Sequence, residues 1–471
     1  MTFIVPSTSF SNSINDHTKS HNFLESADSP IISFSEKIES IDLLKLLSQI
    51  SQYYNPHFYW ENQKQQEAIL AYGITDYLTV NREENRFHKA QYFLDKCFKK
   101  IIHKGHFKSS TSTPHLFFSF TFFESDNKLL PTAISFLPTF EIVRKETQHF
   151  LIINVSLERE NSISSLRDDF FYHLEQSLIN KSLYLANSQK FIEESYINNS
   201  RDFISGVKSA LDSINKNKFS KIVLAHALDI NTKNDIEIVS SLANLKSDHA
   251  DCHIFSFSNN QGETFLGASP ERLISIRNMQ LTADALAGSA PRGKTQQEDK
   301  NLANQLLKSE KECREHKAVS DFIKIQLEQL GLKPKCSKLG ILQLTNIQHL
   351  WTTIQAELTS KNNALEILAK LHPTPAVAGV PSDIACQEIK KYENFDRGKY
   401  AAPLGWIDYQ GNSEFIVGIR SALINKNHAR LYAGAGIVAG SDPVKELAEI
   451  ELKFQVLLRA LGKVNKFDET I

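Results

Sequence analysis

The sequence predicts an α+β fold, a single large unit in which extended antiparallel sheets form the core and helices flank them. Three observations lead there. The chain has 471 residues, 41% hydrophobic and 23% charged, which is ordinary for a globular protein and enough to bury a large core. Strand-like runs follow one another between long helical stretches, without strict βαβ alternation. No fixed-period repeat divides the chain.

Residues 1–35 are rich in Ser, Asn and Thr, so a loosely ordered tail is expected. An N-terminal α/β subdomain is expected over 36–195. Its strand signals are the bulky apolar runs "FYW" at 58–60, "HLFFSFTFF" at 115–123 and "FLIINVSL" at 150–157. The polar stretch 164–196 reads as mostly helical and connects the two halves. A second region, 196–465, is denser in signals. A helix near 203–215 leads to the strand "KIVLAHALDI" (221–230), then to strands at 252–258, 263–268 and around 272–276. One long helix is expected over 296–330, a strand at "LWTTIQAEL" (350–358), and a meander over 403–437 broken at "QGN" and "NKN". The last helix starts at Pro443, with Ser441 and Asp442 as cap candidates.

Several function classes are disfavoured by composition. Lys+Arg at 53 nearly cancels Asp+Glu at 54, so there is no general attraction for nucleic acid or anionic lipid. No apolar run is long enough to span a bilayer. The first 30 residues lack a secretory pattern and contain acids but no arginine, so a cytoplasmic protein is expected. Five scattered cysteines without a CxxC fit reduced thiols, not a disulfide framework or zinc site. No phosphate-binding glycine motif is present. With no heptad or partner-subunit signature, a monomer or weak dimer is expected.

The stretch "KSEKECREHKA" (308–318) carries the first chemical signal. At about 100° per residue, Leu302, Leu306, Cys313, Ile323 and Leu327 share one side of the helix. Glu310, Arg314 and Lys317 lie opposite, as solvated decoration. Glu315 falls on the edge shared with Val319 and Phe322, and Glu312 and His316 also turn inward. On the last helix, Glu446, Glu449 and Lys453 form a charged stripe beside the apolar face of Leu447, Ile450, Phe454, Leu457 and Leu461. Acids in a first turn are favoured by the helix dipole, so spacing alone favours a solvated face. Two inward-edge carboxylates also suit Mg²⁺, which takes few protein ligands. A single histidine excludes the HExxH pattern.

The segments after residue 200 resemble the chorismate-utilising enzymes, most closely the isochorismate synthases. The resemblance is carried by "KIVLAHAL", "FLGASPERLI", "ALAGSAPRG", "LLKSEKECREH", "LHPTPAVAGVP", "FDRGKYAAPLGW", "FIVGIRSAL" and "YAGAGIVAGSDPVKELAEIELKF", in the family's order. It implies an anthranilate synthase component I-like fold and a Mg²⁺-dependent reaction on chorismate. In that family the metal carboxylates fall on Glu315 and Glu449, with Glu446 close by through water. The general acid falls on Glu271 of "SPE" and the general base on Lys221. Groups for the substrate carboxylates fall on Arg420, Lys453 and the backbone around Gly434 and Gly436, with Gly288 and Ser289 lining the same pocket. Relatives that use ammonia lack a lysine at position 221, and others carry a nucleophilic lysine where this chain has Ala287. Lys221 with Ala287 marks the water-using branch, which converts chorismate to isochorismate.

A lysine base and a glutamic acid both work in their less common forms at neutral pH, since their ordinary values are about 10.4 and about 4.3. A desolvated pocket moves both the required way. His226 and Ala402 depart from the family's usual Arg and Gly. His349 is as well explained by a hydrogen-bonded core histidine as by a pocket residue. Three alternatives stay open: a salicylate synthase, which goes on to eliminate pyruvate, a catalytically inactive chorismate-binding relative, and a purely structural divalent-ion site. The pathway, menaquinone or catechol siderophore, is also open, with menaquinone favoured.

Overall fold

The computed structural model of the chain describes residues 29–462 apart from 52–55, 82–84, 107–109, 125–130, 158–162, 180–192, 199, 260 and 346. The first half runs β1 (Ile31–Ile38), α1 (Leu43–Ile50), β2 (His57–Asn62), β3 (Glu67–Tyr72), β4 (Asp76–Val80), α2 (Arg86–Lys99), β5 (Ile101–Gly105), β6 (His115–Phe120), β7 (Ala133–Leu137), β8 (Phe140–Lys145), β9 (Gln148–Ser156), α3 (Ile163–Ile179) and β10 (Glu193–Asn198). The second runs α4 (Ser200–Asn215), β11 (Lys221–Thr232), α5 (Ile238–Asp248), β12 (His253–Ser258), β13 (Glu263–Ser269), β14 (Arg272–Arg277), β15 (Gln280–Pro291), α6 (Gln296–Lys308) and α7 (Glu310–Gln329). It continues through β16 (Lys335–Cys336), β17 (Gly340–Gln343), β18 (Ile347–Glu357), α8 (Ala364–Leu371), β19 (Gly379–Val380), α9 (Ser382–Tyr392), β20 (Pro403–Asp408), β21 (Ser413–Val417), β22 (Ser421–Asn425), β23 (His428–Val438) and α10 (Pro443–Ala460).

These strands form two large sheets, of 13 and 10 strands. The inner faces meet in an aromatic layer: Phe58, Trp60 and Phe257 of the larger sheet pack with Phe117, Phe136 and Trp406 of the smaller. Alternation of side chains explains the layering, since the outer residues of the same strands join a second core with the helices. Both sheets mix strands from both halves of the sequence. In the larger, β12 pairs with β2; in the smaller, β20 pairs with β6. The expected division at 195/196 therefore separates segments of chain that fold into common sheets.

Two strand pairs cross from one sheet to the other. β13 lies in the larger sheet and β14, two residues later, in the smaller; β21 lies in the smaller and β22 in the larger. The crossings sit side by side, because β13 pairs with β22 and β14 with β21. Main-chain bonds tie them: Ala268 N donates to Arg420 O at 3.1 Å, and Val417 N to Glu271 O at 3.0 Å.

Three expectations change. β1 begins at Ile31, inside the stretch expected as a tail, because Ile31–Ile38 is stitched between β9 and β5; residues 1–28 lie outside the described residues. The long helix is two helices. Ser309 adopts an extended ψ of 110°, ends α6 and caps α7 through its hydroxyl, which accepts from Glu312 N at 3.4 Å, the role serine prefers over a helix interior. β15 has no strand signal in its small residues "ALAGSAP", yet it is held between β14 and β18 with a bulge around Gly288, whose φ is 79°. Elsewhere the expected strands and the helix starting at Pro443 are observed, with Asp442 as its cap, accepting from Val444 N and Lys445 N.

Gly405, on β20, marks a close approach. A β-carbon there would lie 2.0 Å from Glu414 O, so Gly405→Ala must part β20 from β21. It is expected to destabilise the protein by about 2–3 kcal/mol, read as a lower urea midpoint with an unchanged m-value.

Candidate active site

The two crossings place two candidate residues. Glu271 follows the Ser269–Pro270 step from β13 to β14, and Arg420 closes the Gly418–Arg420 step from β21 to β22. Ser269 Oγ donates to Val417 O at 2.6 Å, pinning the turn to the neighbouring crossing. Glu271 is 5% exposed. Burial, reinforced by the Asp284 carboxylate and opposed by Lys221, pushes its carboxyl up to about 8. At neutral pH it is therefore an acid with a proton to give.

Lys221 opens β11 between β23 and the short β19, and it is buried at 7% exposure. The strand on each side covers it. Its Nζ donates to Glu315 Oε2 at 2.9 Å. Gly436 of β23 leaves room for this pair, since a β-carbon there would lie 3.2 Å from Lys221 Cε and 4.0 Å from Glu315 Oε2. A buried clamp sets the strand itself: Arg397 Nη2 donates to Val223 O and Glu393 Oε1 accepts from Ala225 N, both at 2.7 Å.

α7 lies on β15 and β18 and presents the rest of "ECREH". Glu310, Arg314 and Lys317 are exposed, whereas Glu312 and Glu315 are half-buried and His316 is buried. Glu312 Oε2 accepts from Ser289 N at 3.3 Å, and a β-carbon on Gly288 would lie 3.2 Å from the same oxygen. Burial raises the Glu312 carboxyl, with the neighbouring Glu315 adding to it. Ser289 Oγ is 2.8 Å from His349 Nδ1. His349 is pushed down to about 3, first by burial and then by the charges of Arg420 and Lys453. It is a neutral imidazole at the same end of the site as those two cations. His316, bonded to Thr352 Oγ1 at 2.8 Å, is a core histidine.

On α10, Lys453 Nζ donates to Gly434 O at 2.6 Å and pairs with Glu449 Oε1 at 2.8 Å. The Glu449 side chain is 48% exposed. Burial raises the half-buried Glu446 carboxyl and Glu449 adds to it, while Lys311 of α7 opposes. The first turns of α7 and α10 therefore lie within electrostatic reach of one another. Gly434 has a second neighbour, for a β-carbon there would lie 2.8 Å from the Tyr400 hydroxyl.

Among the described residues, no three His, Cys, Asp or Glu side chains form a ready-made metal cage. The donor chemistry nevertheless fits Mg²⁺. Glu312 and Glu315 on α7, and Glu446 and Glu449 on α10, are hard oxygen donors whose like charges act on one another. Glu315 and Glu449 are each balanced by a lysine. Mg²⁺ uses one or two carboxylates and completes its shell from water and substrate oxygens.

Direct contacts thus join Lys221, Glu315 and Gly436; Gly288, Ser289, Glu312 and His349; and Gly434, Lys453 and Glu449. Glu271 and Arg420 join them through electrostatic interactions with Lys221 and His349. Three neighbours were not singled out from sequence: Tyr400, Asp284 and Trp351. Tyr400 stands in "FDRGKYAAPLGW", so its motif was a signal, but its contact with Gly434 depends on how the segment ahead of β20 packs on β23, where its ring stacks on Tyr432.

A family model described as chorismate binding enzyme matches residues 18–462. The chain belongs to the chorismate-binding enzymes. Within this family, isochorismate synthase MenF of Haemophilus influenzae is 30% identical over 449 residues, covering 95% of this chain and 94% of its own. The Bacillus subtilis MenF is 28% identical, covering 92% and 93%. The salicylate biosynthesis isochorismate synthase of Pseudomonas aeruginosa is 39% identical over 57% of this chain and 56% of its own. Among solved structures, the menaquinone-specific isochorismate synthase MenF of Escherichia coli aligns with TM-score 0.76 at 27% identity, covering 92% and 95%. Anthranilate synthase component I of Streptococcus pneumoniae, at TM-score 0.69 and 20% identity, shares the fold. No described helix is long and apolar enough to cross a membrane.

Proposed function

We propose that this chorismate-binding enzyme is an isochorismate synthase that adds a hydroxyl from water at C2 of chorismate and expels the one at C4. The observation that carries the reading is a buried carboxyl, Glu271, in the turn between β13 and β14, within electrostatic reach of a buried lysine, Lys221, at the start of β11. Lys221 takes a proton from water, and the water oxygen attacks C2. The ring double bonds shift, the C4–O bond breaks, and Glu271 delivers the proton with which that hydroxyl leaves as water. Arg420, Lys453 and the backbone around Gly434 and Gly436 would bind the substrate carboxylates, with Gly288 and Ser289 lining the same pocket. Glu315 and Glu449 would hold Mg²⁺, with Glu446 alongside; when bound, it neutralises and orients the ring carboxylate. Ala287, where a nucleophilic lysine would stand in another branch, favours water as the nucleophile.

The test is product analysis after incubating the purified protein with chorismate and Mg²⁺. Isochorismate as the accumulating product is expected. Salicylate with stoichiometric pyruvate would replace this reading with a salicylate synthase, and unchanged chorismate with an inactive relative. Activity that persists after chelation would leave the carboxylates with a structural ion at most.

A further inference from the structure

We propose that Asp284, through its ion pair with Arg272 and its hydrogen bond from Trp351, is the positioning residue that sets the place and charge environment of Glu271. The inference rests on Glu271 being the acid.

On its C-terminal side the main chain holds Glu271 through its carbonyl, which accepts from Val417 N at 3.0 Å, but the ladder beyond it is short and irregular. Pairing between β14 and β15 covers Ser275–Arg277 with Gln280–Thr282, short of the crossing. Pairing between β14 and β21 slips between Arg272 and Ile274. Side chains make up the difference. Arg272 Nη2 lies 3.1 Å from Asp284 Oδ1 and 2.9 Å from Oδ2. Trp351 Nε1, from β18, donates to the same Oδ1 at 3.0 Å. One carboxylate thus ties β14, β15 and β18 together at the residue following Glu271. The Arg272 and Asp284 side chains are 21% and 13% exposed, so water screens the pair less than a surface pair. On the other flank, Glu271 N donates to Ser269 Oγ at 3.3 Å. The acid stands between these two anchors.

The same carboxylate acts on Glu271 through space. Among the described residues, the titratable groups in electrostatic contact with the Glu271 carboxyl include Lys221 of β11, Asp284 of β15 and Tyr400 ahead of β20. Of the first two, Lys221 favours the ionised acid and Asp284 disfavours it. Arg272 neutralises part of the Asp284 charge, so the pair is a balance that either partner tips.

The experiment measures kcat against pH, from about pH 6 to about pH 10, for the full-length wild type, Asp284→Asn and Arg272→Gln. Asp284→Asn removes the negative neighbour and leaves Arg272 unpaired. Its alkaline limb is expected to move to lower pH by about half to one unit. Arg272→Gln leaves Asp284 unneutralised, so its limb should move to higher pH. Asp284→Glu, which keeps the carboxylate, should stay near the wild type. Opposite displacements in the two variants support the proposal. Limbs coincident with the wild type, with only melting temperature lowered, overturn it and leave a structural ion pair. If Asp284→Asn fails to fold, Arg272→Gln decides alone. Full activity in Glu271→Gln would sink the assignment of the acid itself, an outcome distinct from an unmoved limb.

Discussion

Glu271→Gln is expected to lower kcat by about a thousandfold and to change KM for chorismate only a few-fold. Glutamine has the same shape and can still donate a hydrogen bond, but it cannot deliver the proton that the departing C4 hydroxyl needs. The wild type should lose kcat as pH rises through about 8, where the buried carboxyl ionises, and the variant's residual rate should lack that limb. Stability supplies an independent check with a definite sign. Because the folded-state value is raised, the protonated carboxyl's contribution is full below the ordinary carboxyl range. It declines as pH rises and is gone above about 8. Glu271→Gln cannot ionise, so its melting temperature relative to the wild type should climb across that window and then level. A difference independent of pH would contradict the buried, protonated acid.

Lys221→Ala is expected to cost a comparable factor, again about a thousandfold, with the fold retained by circular dichroism. In the proposed mechanism the amine is the base, and it is also the partner of Glu315 at 2.9 Å, so truncation removes both roles. Two variants separate them. In Lys221→Ala the vacated space should admit small primary amines, and methylamine should restore part of the rate, more at higher pH where it is neutral. In Lys221→Met the stem is kept and the space stays filled, so no rescue is expected. Wild-type turnover in either purified variant would remove Lys221 from the mechanism.

The local consequences of the sequence were readable where one element decided them. Continuous runs of bulky residues marked β2, β6 and β9, because a strand buried on both faces needs them. Angular position on α7 separated the exposed Glu310, Arg314 and Lys317 from the half-buried Glu315, because a helix's period depends only on its own backbone. Ordered motifs also pointed to Lys221, Glu271, Glu315 and Glu449. What stayed illegible involves two elements at once. β15 is a strand because β14 and β18 flank it, although its Ala- and Gly-rich residues have low β propensity. The helix expected over 296–330 breaks at Ser309, where a capping hydroxyl competes with helical continuation and wins.

The sequence by itself determined which titratable side chains this enzyme brings to the proposed site, and in what order along the chain. Only the tertiary structure decided their state. The turns that carry Glu271 and Arg420, 149 positions apart (420 − 271), lie side by side because two strand pairs cross between the sheets together. That packing removes water from Glu271 and brings Asp284 close to it. Desolvation and a like charge, both properties of surroundings, turn an ordinary carboxylate into an acid.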